Sequence, residues 1–102
     1  MKEYDIYVPL TYNDGRPVEP EKLAGLKDLL LAIFGGVTFF PQENEGYWRV
    51  GDVVFRDRIV IFRVLTAEVS LARTFLRGLK EQLKVDLDQK DVLIVEKEAR
   101  TL

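Results

Sequence analysis

Residues 34–62, FGGVTFFPQENEGYWRVGDVVFRDRIVIF, decide how this chain folds. The stretch holds four of the seven glycines and the only tryptophan. Val37 to Gln42 has strand character; Pro41 and the polar run through Gly46 interrupt it, and Tyr47 to Val50 resumes it. This is one strand with a bulge or two strands joined by a turn. The bulged strand is the better reading, because proline and polar residues suit an edge. Gly51-Asp52 makes a tight turn, and Val53 to Thr66 forms the next strand. Its inner part, Ile59 to Phe62, is apolar on both sides, as expected of a strand covered on both faces.

Each flank of this stretch supplies a strand and a helix. Toward the N-terminus, Tyr4, Ile6, Val8 and Leu10 alternate with Asp5, Tyr7, Pro9 and Thr11, which gives a strand with one apolar face. Tyr12 to Pro17 turns the chain, with Asn-Asp-Gly chemistry and a proline that cannot join a ladder. Glu19-Pro20-Glu21 opens a helix, since proline fits the first position and acids suit the positive end of the dipole. Leu23, Leu26, Leu30, Ile33 and Phe34 follow at helical spacing, and Gly35-Gly36 stops the helix. Those glycines follow a helix, whereas a phosphate loop precedes one. Toward the C-terminus, Thr66 suits an N-cap with Glu68 in the first turn. A second helix runs to about Lys84 and buries Ala72, Phe75, Leu76, Leu79 and Leu83. Val92 to Glu96 is the last strand, and the charged tail from Lys97 is expected to fray.

The order strand, helix, strand, strand, helix, strand predicts a single α+β domain over residues 1–102. Its arrangement is ferredoxin-like, βαββαβ, a four-stranded antiparallel sheet with both helices on one face. The first and third strands are then central. The helix-free face carries Tyr7 with either Ile59 and Ile61 or Val60 and Phe62, which predicts a homodimer.

The pattern Phe34-Gly35-Gly36-x-Thr38, Gly46-x-Trp48 and Gln89-x-x-Val92 resembles one found in small bacterial and phage proteins of unknown function. The resemblance spans most of the chain and implies a ferredoxin-like fold. It marks Phe34, Gly35, Gly36, Thr38, Gly46, Trp48 and Gln89 as signature positions and implies no activity.

At 102 residues the chain buries roughly 65% of its unfolded surface, enough for one core. A net charge of -2 gives no field to draw nucleic acid or an anionic membrane. There is no cysteine, which excludes disulfides and thiolate chemistry, and no histidine, which excludes histidine-based nucleophile systems and the usual zinc sites. The opening MKEYDIYV lacks a signal pattern and no apolar run spans a bilayer, so a cytoplasmic protein is expected.

The topology predicts one rim gathering Tyr12, Asn13, Asp14, Trp48, Arg49, Asp57 and Gln89. With Thr38, these are the candidate binding residues. Trp48 beside Arg49 can stack a ring or anchor a partner. The dense arginines at 49, 56, 58, 63, 73 and 77 could hold phosphates, but the acids interleaved with them point to local ion pairs. Asp14, Asp52 and Asp57 could converge on one divalent cation, although no spacing demands it. Asp5 could be a buried acid, with Arg63 as its simplest partner. Three functions fit: a non-catalytic homodimeric module for a protein or small-molecule partner, a divalent-metal phosphodiester enzyme or nucleic-acid binder, and a dimeric α+β barrel enzyme or small-ligand binder. The first is favoured, with no cofactor and no resident metal.

Overall fold

A computed structural model describes all 102 residues. Strand β1 (Lys2–Pro9) is followed by helix α1 (Pro20–Phe34), strands β2 (Thr38–Val50) and β3 (Val53–Thr66), helix α2 (Val69–Asp86) and strand β4 (Ile94–Glu98). The four strands form one antiparallel sheet in the order β2-β3-β1-β4, so β1 and β3 are central.

Residues 38–50 are one bulged strand. The ladder runs from Phe40 opposite Ile61 to Asn44 opposite Ile59, so Pro41, Gln42 and Glu43 stand against Val60 alone. Proline is tolerated there because a bulge relieves it of a ladder hydrogen bond. Gly51 takes φ 61° at the hairpin tip, a conformation cheap only for glycine.

Pro20 opens α1 as its composition requires, and Gly35 closes it at φ 75°, its N–H donating to the Leu31 carbonyl at 2.9 Å. Thr66 is not the cap of α2. Glu68 holds that position, and the Thr66 hydroxyl accepts the Glu68 N–H at 3.0 Å within the preceding turn. The last strand starts at Ile94, later than its apolar residues suggest: Val92 is buried as a plug before the ladder, its N–H held by the Asp91 carboxylate. Lys97 and Glu98, expected to fray, pair instead with Glu3 and Lys2 across the ladder.

Register explains the core. Tyr4, Ile6 and Val8 lie opposite Val64, Phe62 and Val60, which puts six apolar side chains on one face of the central strands. Leu26 and Leu30 of α1 and Ala72, Leu76, Leu79 and Leu83 of α2 complete the same cluster, so both helices cover that face. Full burial of each such aliphatic side chain contributes about 1.5–3 kcal/mol. Ile33 falls outside the α1 stripe and is exposed. The opposite face carries Asp5, Tyr7, Ile59, Ile61 and Arg63, and no helix lies over it. Of the two apolar pairs open to that face in sequence, Ile59 and Ile61 occupy it.

Candidate functional site

The pairing of β1 with β3 ends at Pro9 opposite Ile59, after which the Leu10 N–H donates to the Arg58 carbonyl at 2.8 Å. From Glu45–Arg58 outward, β2 and β3 pair only with each other, through to Val50 opposite Val53. They form a two-stranded arm projecting past the end of β1.

Alternation gives the arm two unlike sides. Glu43, Glu45, Tyr47, Arg56 and Arg58 share the helix-side face. Glu43 is ion-paired with Arg58, and Glu45 with Arg56 while also accepting the Tyr47 hydroxyl at 2.7 Å. Those contacts, led by the Tyr47 hydrogen bond, hold the Glu45 carboxyl below its ordinary range. Trp48, Val50, Val53 and Phe55 share the other side, continuous with the open sheet face. Trp48 stacks on Phe55 with ring centroids 6.1 Å apart at 23°. Even so, Trp48 remains 47% exposed and Phe55 44%. The ring thus packs on its own sheet and still presents half its surface.

Asp57 lies on this apolar side, opposite Gly46 and half-buried. It has no ion-pair partner and no hydrogen-bond donor, and burial pushes its carboxyl up. Arg49 and Asp52 are also unpaired, whereas Arg56, Arg58, Arg63 and Arg73 each meet a carboxylate. Ion pairing therefore accounts for most of the arginine density.

Farther along the open face lies a closed charge cluster. Arg63 donates to both oxygens of Asp5, at 2.8 and 3.0 Å, and contacts Glu3 at 3.2 Å; Lys97 reaches Asp5 and Glu3 at 3.3 and 3.4 Å. The Arg63 guanidinium sits 4.8 Å from the Phe40 ring centroid. Asp5 is 3% exposed, and its carboxyl is lowered chiefly by Arg63.

The expected rim is divided. Asn13 Nδ2 donates to the Asp88 carbonyl at 2.8 Å, and Gln89 Nε2 donates to the Leu87 and Thr11 carbonyls at 3.1 and 3.4 Å, so the turn after β1 is tied to the loop before β4. Tyr12 at this corner is a core residue, 8% exposed, with its hydroxyl donating to Glu19 and accepting from Lys22. Asp14 is ion-paired with Arg16. Trp48, Arg49 and Asp57 stand on the arm, and no hydrogen bond or ion pair joins them to that corner. Thr38 is exposed at the far end of β2, opposite Arg63. Asp14, Asp52 and Asp57 do not converge, and no group of three or more carboxylates could hold a metal ion. No helix is long and apolar enough to cross a membrane.

Sequence reasoning missed Val50, Val53 and Phe55 as companions of Trp48. The signal was the mismatch between a long third strand and a short first one, which leaves a hairpin end without a neighbour. The helix layer also holds a cleft of about 230 Å³ lined by Val8, Leu23, Leu26, Leu79 and Leu83 with Lys22, Gln82 and Asp86, smaller than a usual ligand pocket.

No family model and no curated protein sequence matches this chain. Among solved structures, it is similar in fold to a phage SAM lyase in complex with S-methyl-5′-thioadenosine, with a TM-score of 0.65 and 16% identity over 95% of this chain and 80% of the lyase chain. The phage SAM lyase in its apo state gives a TM-score of 0.64 and 17% identity over 95% and 79% of the two chains. At such identity the similarity establishes a shared α+β fold.

Proposed function

We propose that this chain is a homodimeric binding module of the ferredoxin-like type that holds a small, flat-ringed ligand on its open sheet face, working in the cytoplasm. The observation that carries this reading is the Trp48–Phe55 pair, stacked yet half-exposed on a face that no helix covers. Aromatic surface of this kind binds rings by stacking and excludes water from them. The ion-paired arginines and the scattered aspartates speak against the phosphate and metal readings. Trp48 is the only tryptophan, so its fluorescence reports on the face directly. Titration with S-methyl-5′-thioadenosine, the ligand of the structural neighbour, should give a saturable change in emission, lost in Phe55→Ala. Unchanged emission at millimolar ligand would rule out this class of ligand.

A second reading is a lyase resembling those neighbours. It is favoured by the match over 95% of this chain and by Asp57, a carboxylate held toward its protonated form on the same face. Incubation with SAM and chromatography for S-methyl-5′-thioadenosine decides it: release of product, abolished by Asp57→Asn, is the expected result of this reading, and intact SAM excludes it.

A further inference from the structure

We infer that the β2–β3 arm is the contact element of the dimer, its apolar side laid on the open sheet face of a second copy of this chain. The inference rests on the self-association proposed above and names the surface that carries it, so that the ring ligand lies between the Trp48–Phe55 pair of one copy and the open face of the other.

The arm cannot account for its own pattern. A two-stranded ribbon is marginal in water without a third element to pack against. Here the β1 ladder stops at Pro9, with a last bond from Leu10 to the Arg58 carbonyl, and the strands continue for five residues of β3, Val53 to Asp57, with only each other as partners. One side is mostly finished for solvent, with two ion pairs, Arg49 and the Tyr47 hydroxyl bonded to Glu45, and Val54 as its one exposed aliphatic side chain. The other carries Trp48, Val50, Val53 and Phe55 at 44–62% exposure, with Asp57 its only charge. Such one-sided alternation is the pattern of a ribbon whose apolar side is covered.

The complement lies on the same molecule. Below the arm, the open face continues as Ile59, Ile61, Tyr7 and Phe40, all partly buried and apolar. Beyond them, the Glu3–Asp5–Arg63–Lys97 cluster holds two acids and two bases that satisfy one another, so it needs no partner charge and bounds the patch. A two-fold operator that lays each arm on the other copy's face uses both patches twice, as an isologous interface requires. The four arm side chains expose on the order of 400 Å² and the partly buried lower patch adds on the order of 200 Å², which together match the roughly 600 Å² per partner at the low end of specific interfaces. The formal net charge of -2 opposes such self-pairing only weakly.

Sedimentation velocity on the full chain from 1 to 100 µM, with Trp48 emission followed over the same range, tests this. The expected result is a dimer whose formation is accompanied by a blue shift of Trp48. Phe55→Glu should weaken association at least 10-fold and abolish the shift. Val54→Glu, one position along on the opposite side of the arm, should change it less than twofold. Circular dichroism confirms that each variant folds. A monomer at every concentration would overturn this inference and the homodimer together. A dimer with constant Trp48 emission that survives Phe55→Glu would overturn the arm contact and leave the homodimer standing. Equal weakening by both variants would overturn the assignment of the apolar side.

Discussion

Asp5 and Arg63 face each other across the two central strands, and the guanidinium donates to both carboxylate oxygens at 2.8 and 3.0 Å. The acid is buried on the face that no helix covers, where only its partners offset the loss of water. Removing one partner of a buried pair typically costs 3–5 kcal/mol, but Lys97 remains 3.3 Å from Asp5. Arg63→Met should therefore cost about 2–4 kcal/mol in urea unfolding. The paired replacement Asp5→Leu with Arg63→Met should recover most of that. A double variant as unstable as the single one would show that the pair does more than satisfy itself. The pH dependence has a definite sign. The folded-state pKa of Asp5 lies below its unfolded value of 3.8, so its stabilisation is present above that value and is lost as pH falls through the folded pKa.

Leu30 is wholly buried between α1 and the sheet, whereas Phe75 is partly buried and packs edge-on against Phe34 at 5.8 Å. Leu30→Ala should cost about 3–5 kcal/mol, as a deletion that leaves a cavity the fold cannot close. Phe75→Ala should cost less, about 2–3 kcal/mol, because solvent can reach the vacated space. Equal denaturant midpoints for Phe75→Ala and its parent would mean that the Phe34–Phe75 contact adds nothing.

The α+β class, the β1 face and most of the two helix stripes were legible because burial imposes short periods on the sequence, although Ile33 keeps the period and is exposed. Tyr4, Ile6 and Val8 alternate, and α2 repeats its apolar residues at helical spacing. What was not legible depends on register, which no local pattern encodes. The alternation that runs through Val53 to Thr66 serves the four-stranded sheet in its lower half, from Ile59 on, and a bare arm in its upper half. Only the point where β1 stops separates the two. Lys97 and Glu98 likewise carry the composition of a fraying tail, since a charged strand is indistinguishable from a loose end until its partners Glu3 and Lys2 are known. The rim was misjudged at Tyr12, because a tyrosine in a turn looks exposed; its ring fills the core while Glu19 and Lys22 hold its hydroxyl.

Glu96 accepts from Arg73 Nε and Nη2 at 2.7 and 2.9 Å and from the Tyr4 hydroxyl at 2.7 Å. Arg73 first, then Tyr4, lowers its carboxyl from 4.5 to about 2. A lowered folded-state pKa stabilises above the unfolded value and loses that contribution as pH falls, so the window runs from about 4.5 down to about 2. Glu96→Gln should flatten the fall of melting temperature across that window and lower stability at pH 7. Parallel curves for the parent and variant between pH 5 and 2 would remove Glu96 from the acid transition.

Asp57 gives the opposite sign. Its carboxyl is raised by burial alone, with no cation or donor to favour the charged form. The folded state then binds the proton more tightly than the unfolded chain, so stability falls as pH rises from the unfolded value of 3.8 through the raised pKa, and the penalty stays constant above it. Asp57→Asn removes the charge while keeping size and polarity. Measured at submicromolar protein, to favour the monomer, the variant should be more stable than its parent at pH 7, by under about 1 kcal/mol for a group only half withdrawn from water. The two should converge near pH 3, where the parent carboxyl is also neutral. The competing account gives Asp57 a cationic partner in the folded monomer, for which Arg56 and Arg58 are its chain neighbours. Those arginines are engaged with Glu45 and Glu43 on the other side of the arm. A variant less stable than its parent at pH 7 would establish such a partner and reverse the sign argued here.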